Sequence, residues 1–278
     1  MKVFALIGHP VKGSPSPSMH NAAFSQLGLD CVYVAADVPP PNLQDAVAGI
    51  RALGIAGANV TIPHKVAVMP FMDELHETAS LVGAVNTIKN AGGKLIGFNT
   101  DGPGALRALK AATRVSGKKV LLLGAGGAAR AIAFSIAAEG AELTIANRTI
   151  PRASALARDI KEKLGEDVRC VALRGDELST AAMGSDIIIN ATSVGMYPES
   201  ERTLLTSKMI PDNAVVFDIV YKPQETRLLR EAKKAGAKTI RGVDMLVHQG
   251  ALSFEIWTGK RAPVEVMRKA AQMELRRI

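Results

Sequence analysis

The stretch Val120-Leu-Leu-Leu-Gly124-Ala-Gly126-Gly127-Ala128-Ala129 constrains this chain more than any other. Four apolar residues fit a buried parallel strand, and Ile132 to Ala138 continues as helix. Between them lies G-x-G-x-x-A. The first glycine permits a tight turn, the second lets backbone approach a pyrophosphate, and Ala129 lets helix pack closely on strand. Glycines also end strands for purely structural reasons. Here strand before and helix after are both present, which favours a dinucleotide loop of Gly124, Ala125, Gly126, Gly127 and Ala128.

The pattern around the loop predicts an α/β fold. Val3–Ile7, Cys31–Ala36 and Ile55–Val60 read as strands, with helices around Ala22–Leu27 and over Leu43–Leu53. Leu75–Val82 reads as helix. Ala84–Ile88 and Lys94–Phe98 read as strands joined by a turn at Asn90-Ala91-Gly92-Gly93. A helix from about Asp101 leads to Gly117, and a second series of strands follows: Lys119–Leu123, Ala141–Ala146, Val168–Leu173, Ile187–Ile189, Val215–Phe217 and Lys238–Ile240. Helices at Ala153–Leu164 and Glu225–Ala235 make this second unit a doubly wound sheet. The tail from Met245 to Arg277 reads as helical.

At 278 residues the chain is long enough for two domains. No apolar run approaches a membrane span, and the first one ends at Gly8-His9-Pro10, as a strand rather than a secretory signal. Cys31 and Cys170 sit in apolar runs outside any metal motif, which suits core thiols in a reducing cytoplasm. The net charge of +8 suits anionic small molecules by long-range attraction. Nucleic acid would need a clustered basic face, whereas these lysines and arginines are scattered.

The segment after the second Rossmann-type strand decides which dinucleotide fits. About twenty residues past the loop, an NAD site usually offers Asp or Glu to the ribose hydroxyls. This chain offers Asn147-Arg148-Thr149, with Arg152 one helical step on. An arginine fork and small donors suit a 2′-phosphate, which a carboxylate would repel. The bland account is a helix start capped by Thr149, and both can hold together. NADP(H) is the expected cofactor.

Four polar clusters precede this unit, each at a junction between apolar segments: Ser14-Pro15-Ser16-Pro17, Asn59 to Lys65, Gly83 to Thr87, and Gly97 to Gly102. Each residue alone has an ordinary explanation. Ser16 or Asp101 can cap a helix, and a single lysine is usually surface charge. Their clustering raises the case for a ligand site beyond strand ends.

At these residues the chain resembles the shikimate dehydrogenase family. The resemblance rests on Ser14-x-Ser16-Pro17-x-Met19-His20-Asn21, Asn59-Val-Thr61-x-Pro63-x-Lys65, Gly83-Ala-Val-Asn86-Thr87 and Asn99-Thr-Asp101-Gly102. It continues through the glycine loop, Asn147-Arg148-Thr149, Asn190-Ala-Thr192-Ser-x-Gly195-Met196, Asp218-Ile-Val-Tyr221-x-Pro223, Gly242-x-x-Met245-Leu246-x-x-Gln249 and Trp257-Thr-Gly259. The set spans nearly the whole chain in the family's order.

The resemblance implies NADP-linked interconversion of shikimate and 3-dehydroshikimate in aromatic amino-acid synthesis. It implies a substrate domain of residues 1–102 with 242–278, and an NADP-binding Rossmann-like domain of 103–241. Ser14 and Ser16 would hold the substrate carboxylate, and Thr61, Asn86, Asp101, Tyr221 and Gln249 the remainder. Lys65 matches the catalytic lysine, paired with Asp101. Glu77, Thr192, Ile219 and Gly242 match positions near the cofactor. One departure is Gly13, where the family usually has His. The resemblance implies no metal, and it leaves monomer or homodimer open.

Ketone reduction needs hydride at carbon and a proton for the developing alkoxide. A lysine ammonium can stabilise the oxygen and then donate, with Asp101 orienting it. Two rivals are a quinate or dual quinate/shikimate dehydrogenase, and a non-catalytic NADP(H)-binding sensor. Ser14, Ser16 and the Asn147-Arg148-Thr149 cluster disfavour the first, and Lys65 with Asp101 the second.

Overall fold

The structure is a computed structural model that describes residues 1–277. The chain divides into two units, Met1–Gly104 with the segment from Val247 on, and Ala105–Leu246.

The first unit is built on β1 (Lys2–Gly8), β2 (Cys31–Asp37), β3 (Gly57–Val60), β4 (Glu74–Leu75), β5 (Thr87–Ala91) and β6 (Lys94–Phe98), with α1 (Ser16–Gln26), α2 (Leu43–Ala52) and α3 (Glu77–Val82). Its sheet runs β2-β1-β3-β5-β6-β4. β1 is parallel to β2 and β3, β5 is antiparallel to β3 and β6, and β4 is parallel to β6. Phe4 to Gly8 are all buried, as expected of a central strand covered on both faces. Ala5, Ile7, Val47, Ile50, Val60, Ile88 and Leu95 share one core.

The β5–β6 hairpin is tighter than the sequence suggests. β5 continues to Ala91, and Gly92 and Gly93 alone make the turn, at φ +65° and +97°. Two successive positive φ values are what a two-residue type I′ loop requires. The hairpin fixes where chemistry can gather. Thr87 pairs with both Asn59 and Phe98, so the end of β3, the start of β5 and the end of β6 lie at one edge of the sheet.

The second unit has β7 (Lys119–Leu123), β8 (Glu142–Asn147), β9 (Arg169–Ala172), β10 (Ile187–Asn190), β11 (Val215–Asp218) and β12 (Lys238–Ile240). All are parallel, in the order β12-β11-β10-β7-β8-β9. This is the doubly wound arrangement, and its order reverses between β7 and β10. α4 (Asp101–Lys110) leads into the unit, and α5 (Gly127–Ala138), α6 (Ile150–Leu164), α7 (Gly175–Met183) and α8 (Arg227–Ala235) follow its strands. Ile187, Ile188 and Ile189 are fully buried, each worth about 1.5–3 kcal/mol of apolar burial.

Several boundaries differ from expectation. α5 begins at Gly127, not Ile132, because the glycine loop itself supplies the first turn. α7 was not foreseen; its first turn carries Asp176 and Glu177, which favour a helix N-terminus. The C-terminal tail is helical, in two pieces. α9 (Gly242–Thr258) ends at Gly259, which has φ +67°, and α10 (Val264–Leu275) starts after Pro263. Cys31 and Cys170 are free and only partly buried, so neither is a core thiol. Cys31 opens an edge strand, and Cys170 lies in β9 at the edge of the other sheet.

Candidate active site

At the edge defined by β3, β5 and β6, Lys65 Nζ donates to Asp101 Oδ2 at 2.6 Å. The lysine side chain keeps 23% of its exposure and the aspartate 8%, so the ammonium is held at a surface while its partner is buried. The segment carrying Lys65 leaves β3 and is tied down at several points. Thr61 N–H donates to the Ile7 carbonyl, His64 Nε2 stands 2.7 Å from the Val38 carbonyl, and the Lys65 carbonyl accepts Val85 N–H. Asp101 begins α4, its own N–H held by Asn99 Oδ1. Its carboxylate meets Lys65 and Asn86, so the helix-capping account of this residue gives way to the paired one.

Asn86 is the hinge of the arrangement. Its Nδ2 donates to Asp101 Oδ1 at 3.0 Å and to Thr100 Oγ1 at 2.9 Å, and lies 3.4 Å from Gln249 Oε1. Its Oδ1 accepts Thr100 N–H at 2.8 Å. The expected residues Lys65, Asn86, Asp101 and Gln249 are thus joined by hydrogen bonds. Sequence reasoning missed what lies behind them. Ser253, fully buried one turn after Gln249 on α9, accepts from Asn59 Nδ2 at 3.0 Å and stands 2.8 Å from Thr87 Oγ1 and 3.3 Å from Thr100 Oγ1. The i, i+4 spacing from Gln249 was the available signal.

Ser14 and Ser16 occupy their own loop, where Ser14 Oγ accepts Ser16 N–H at 3.4 Å. Ser16 is the first residue of α1 and not its cap; that position is Pro15, without a side-chain bond. Gly13 has φ +79°, and Ser14 N–H returns to the Val11 carbonyl. A positive φ at the third position of such a four-residue turn is the glycine requirement of a type II turn, so Gly13 serves the backbone here. Thr61 is partly exposed just past β3.

In the second unit, the glycine loop lies between β7 and α5. Gly126 and Gly127 are exposed, with open space where a Cβ would stand, and α5 begins there, so its first-turn N–H groups have no intrahelical acceptor. A Cβ on Gly124 would stand 3.1 Å from Ala191 O and from Thr192 Cγ2, so the loops after β7 and β10 touch at the point where strand order reverses. Beyond β8, Asn147 Nδ2 holds the Thr149 carbonyl at 2.8 Å. Thr149 is the N-cap of α6 but its hydroxyl makes no capping bond. Arg148 and Arg152 are exposed, and neither forms an ion pair among the described residues. An exposed helix N-terminus for phosphate and uncommitted guanidinium groups beside it fit NADP(H).

Thr192 and Ile219 follow β10 and β11. Thr192 N–H and Oγ1 donate to Asn190 Oδ1, and Ile219 N–H donates to the Asn190 carbonyl. Gly242 lies with its backbone against Ile219 and Val220, where an added Cβ would stand 2.5 Å from their atoms. Tyr221, expected to hold substrate, belongs to this second unit and is 37% exposed. Glu77, expected near the cofactor, belongs to the first unit and is the exposed first residue of α3. Among the described residues no cluster of His, Cys, Asp or Glu could hold a metal, and no helix is long and apolar enough to cross a membrane.

Comparison with known proteins finds three matching family descriptions. Residues 6–88 match the shikimate dehydrogenase substrate binding domain, 107–225 match shikimate/quinate 5-dehydrogenase, and 242–272 match the shikimate 5′-dehydrogenase C-terminal domain. The shikimate dehydrogenase (NADP(+)) of Methanopyrus kandleri is 55% identical over 99% of this chain and 96% of its own length. A crystal structure of a shikimate dehydrogenase with NADP+ superposes with a TM-score of 0.94 at 50% identity, covering 99% of this chain and 96% of that one. The Thermus thermophilus shikimate 5-dehydrogenase with NADP(H) and shikimate gives 0.90 at 39% identity, covering 99% and 100%.

Proposed function

The chain belongs to the shikimate dehydrogenase family, and from that premise we propose that Lys65 and Asp101 are the acid–base pair of its reaction. The protein is an NADP-dependent oxidoreductase that reduces 3-dehydroshikimate to shikimate, reversibly, in the synthesis of aromatic amino acids. The observation that carries the assignment is the 2.6 Å pair itself, with Asn86 fixing the second carboxylate oxygen.

NADPH, when bound, supplies the hydride. The rest falls to this chain's side chains. Lys65 stabilises negative charge developing on the reacting oxygen and gives it a proton from Nζ. Asp101 orients Lys65 and accepts its hydrogen bond, and in the oxidising direction the pair takes up the proton that leaves the hydroxyl. Asn86, Thr61 and Gln249 hold the ring hydroxyls, Tyr221 completes that set, and Ser14 with Ser16 hold the carboxylate. The loop of Gly124 to Ala128 takes the pyrophosphate on the N-terminus of α5. Asn147, Arg148, Thr149 and Arg152 take the 2′-phosphate, with Glu77, Thr192, Ile219 and Gly242 against the remainder of the dinucleotide. The substrate domain expected at residues 1–102 with 242–278 corresponds to the unit Met1–Gly104 with the segment from Val247 on, and the cofactor domain expected at 103–241 to Ala105–Leu246, so residues 242–246 go with the cofactor unit. The unpaired thiols suit the cytoplasm.

One absorbance assay tests the reading: NADPH with 3-dehydroshikimate, then NADP+ or NAD+ with shikimate or quinate. The expected result is turnover of the shikimate pair with NADP(H) in preference to NAD(H). Quinate oxidation with NAD+ as the main activity would move the chain toward its quinate dehydrogenase neighbour from Corynebacterium glutamicum, 33% identical. Absence of turnover with every pair would leave a nucleotide sensor.

A further inference from the structure

Among the fully buried polar groups is a carboxylate that the reaction above does not use. Asp218, the last residue of β11, is 0% exposed and pairs in register with Asn190, the last residue of β10. Asp218 Oδ1 accepts Asn190 Nδ2 at 2.9 Å and Val220 N–H at 3.1 Å, and Oδ2 accepts Thr226 Oγ1–H at 2.6 Å. All three donors are neutral. Burial pushes this carboxyl up to about 6, the mark of a charge kept without a cation.

The partners show what the carboxylate holds. Asn190 turns its other amide atom to Thr192, accepting both N–H and Oγ1–H, and its Nδ2 also reaches the Val194 carbonyl. Thr226, itself fully buried, caps α8 by accepting Leu229 N–H. The segment 219–225 therefore runs between Asp218 itself and Thr226, with Val220 N–H gripped inside it, and segment 191–194 hangs from Asn190. Only an acceptor-only group satisfies three converging donors, because an amide would set N–H against one of them. An isolated buried carboxylate is costly, and apolar substitutes would usually be no less stable. Its retention is best explained by what it orders.

We propose that Asp218 is a positioning residue that locks the loops after β10 and β11 together, so that Thr192, Ile219 and Tyr221 are presented to the bound cofactor and substrate as one surface. The inference rests on the NADP-linked reading. Sheet order gives it a signature. The loops after β10 and β11 lie on one side of β7, and the Arg148 segment after β8 lies on the other. Loosening Asp218 must therefore affect the part of the dinucleotide common to NADPH and NADH, and not the 2′-phosphate.

The test uses the full chain with Asp218→Asn and, as a milder second variant, Thr226→Ser, which keeps the hydroxyl. NADPH and NADH dissociation constants are read by fluorescence, alongside kcat and KM. The expected result for Asp218→Asn is weaker binding of both nucleotides by the same factor, about tenfold, with a fall in kcat, and near-parent values for Thr226→Ser. A folded Asp218→Asn protein with parent-like nucleotide affinity and kcat overturns the proposal. So does a loss confined to thermal stability, or one that falls on NADPH alone. If Asp218→Asn does not fold, Thr226→Val decides in its place by the same readouts. Failure of the underlying reading looks different: the parent chain itself then binds neither nucleotide, and the proposal falls with it.

Discussion

Lys65 and Asp101 form a hydrogen-bonded ion pair 2.6 Å long in which the carboxylate's other oxygen is occupied by Asn86 Nδ2 at 3.0 Å. A carboxylate gripped on both oxygens cannot swing, so the lysine that donates to it is aimed as well. Removing the ammonium removes a proton donor without disturbing the Asn86 contact. Lys65→Ala is expected to lower kcat by about 10²–10⁴, the range for general acid–base groups, with a smaller change in KM. Steady-state kinetics with 3-dehydroshikimate check this, and a near-normal kcat would take Lys65 out of the chemistry.

Arg148 stands exposed past β8, next to a Thr149 hydroxyl that makes no capping bond. Both are uncommitted, as a phosphate site requires. Arg148→Ala should weaken NADPH binding by roughly 1.5–3 kcal/mol, the range for hydrogen bonds to a charged group, and NADH binding little. Isothermal titration with the two nucleotides separates the cases. Equal losses for both would mean that the arginine does not read the 2′-phosphate.

The nucleotide loop was legible because its signal is local: strand, glycine pattern and helix are adjacent in sequence. So was the doubly wound sheet, whose buried strands read as apolar runs such as Ile187-Ile188-Ile189. The convergence of Lys65, Asn86 and Asp101 was only suggested, since it depends on the β5–β6 hairpin bringing three strand ends to one edge. Ser253 was invisible for a further reason. It sits in an apolar helix, and its partners Asn59, Thr87 and Thr100 lie more than 150 residues away in sequence. The role of Asp218 was equally hidden, because a carboxylate in a motif does not disclose whether it faces ligand or backbone.

Gly104, in the first turn of α4, lies against α9. A Cβ there would stand 2.7 Å from the Gln249 amide nitrogen and 2.8 Å from its Cα and Cβ. Backbone atoms on a helix do not move aside cheaply, so Gly104→Ala must shift α4 or α9 and disturb the contact between Gln249 and Asn86. The expected cost is about 1–3 kcal/mol of stability, as for overpacking elsewhere. KM for shikimate should rise more than kcat falls, because Gln249 is proposed to bind and not to transfer protons. Denaturant melts and kinetics together check it; unchanged KM would separate Gln249 from the substrate.

His20 is stacked on Tyr33, ring centroids 4.5 Å apart, and is closed in by Phe24 and Trp257. It is 0% exposed, and neither ring nitrogen has a hydrogen-bond partner among the described residues. Burial lowers its imidazole from 6.5 to about 3. Below pH 6.5 the unfolded chain therefore takes up a proton that the folded chain refuses. The stability tied to this group is complete above pH 6.5 and is lost progressively as pH falls toward 3. At pH 5 the loss is about 2 kcal/mol, since each pH unit in this window is worth about 1.4 kcal/mol. His20→Phe keeps the aromatic stack and removes the titration. Urea unfolding at pH 7.5 and pH 5 should show the parent losing about 2 kcal/mol more than the variant over that interval. Because the comparison is between two pH values, any constant repacking cost of the larger ring cancels. Equal losses in the two proteins would mean that His20 finds a proton-accepting environment in the folded state.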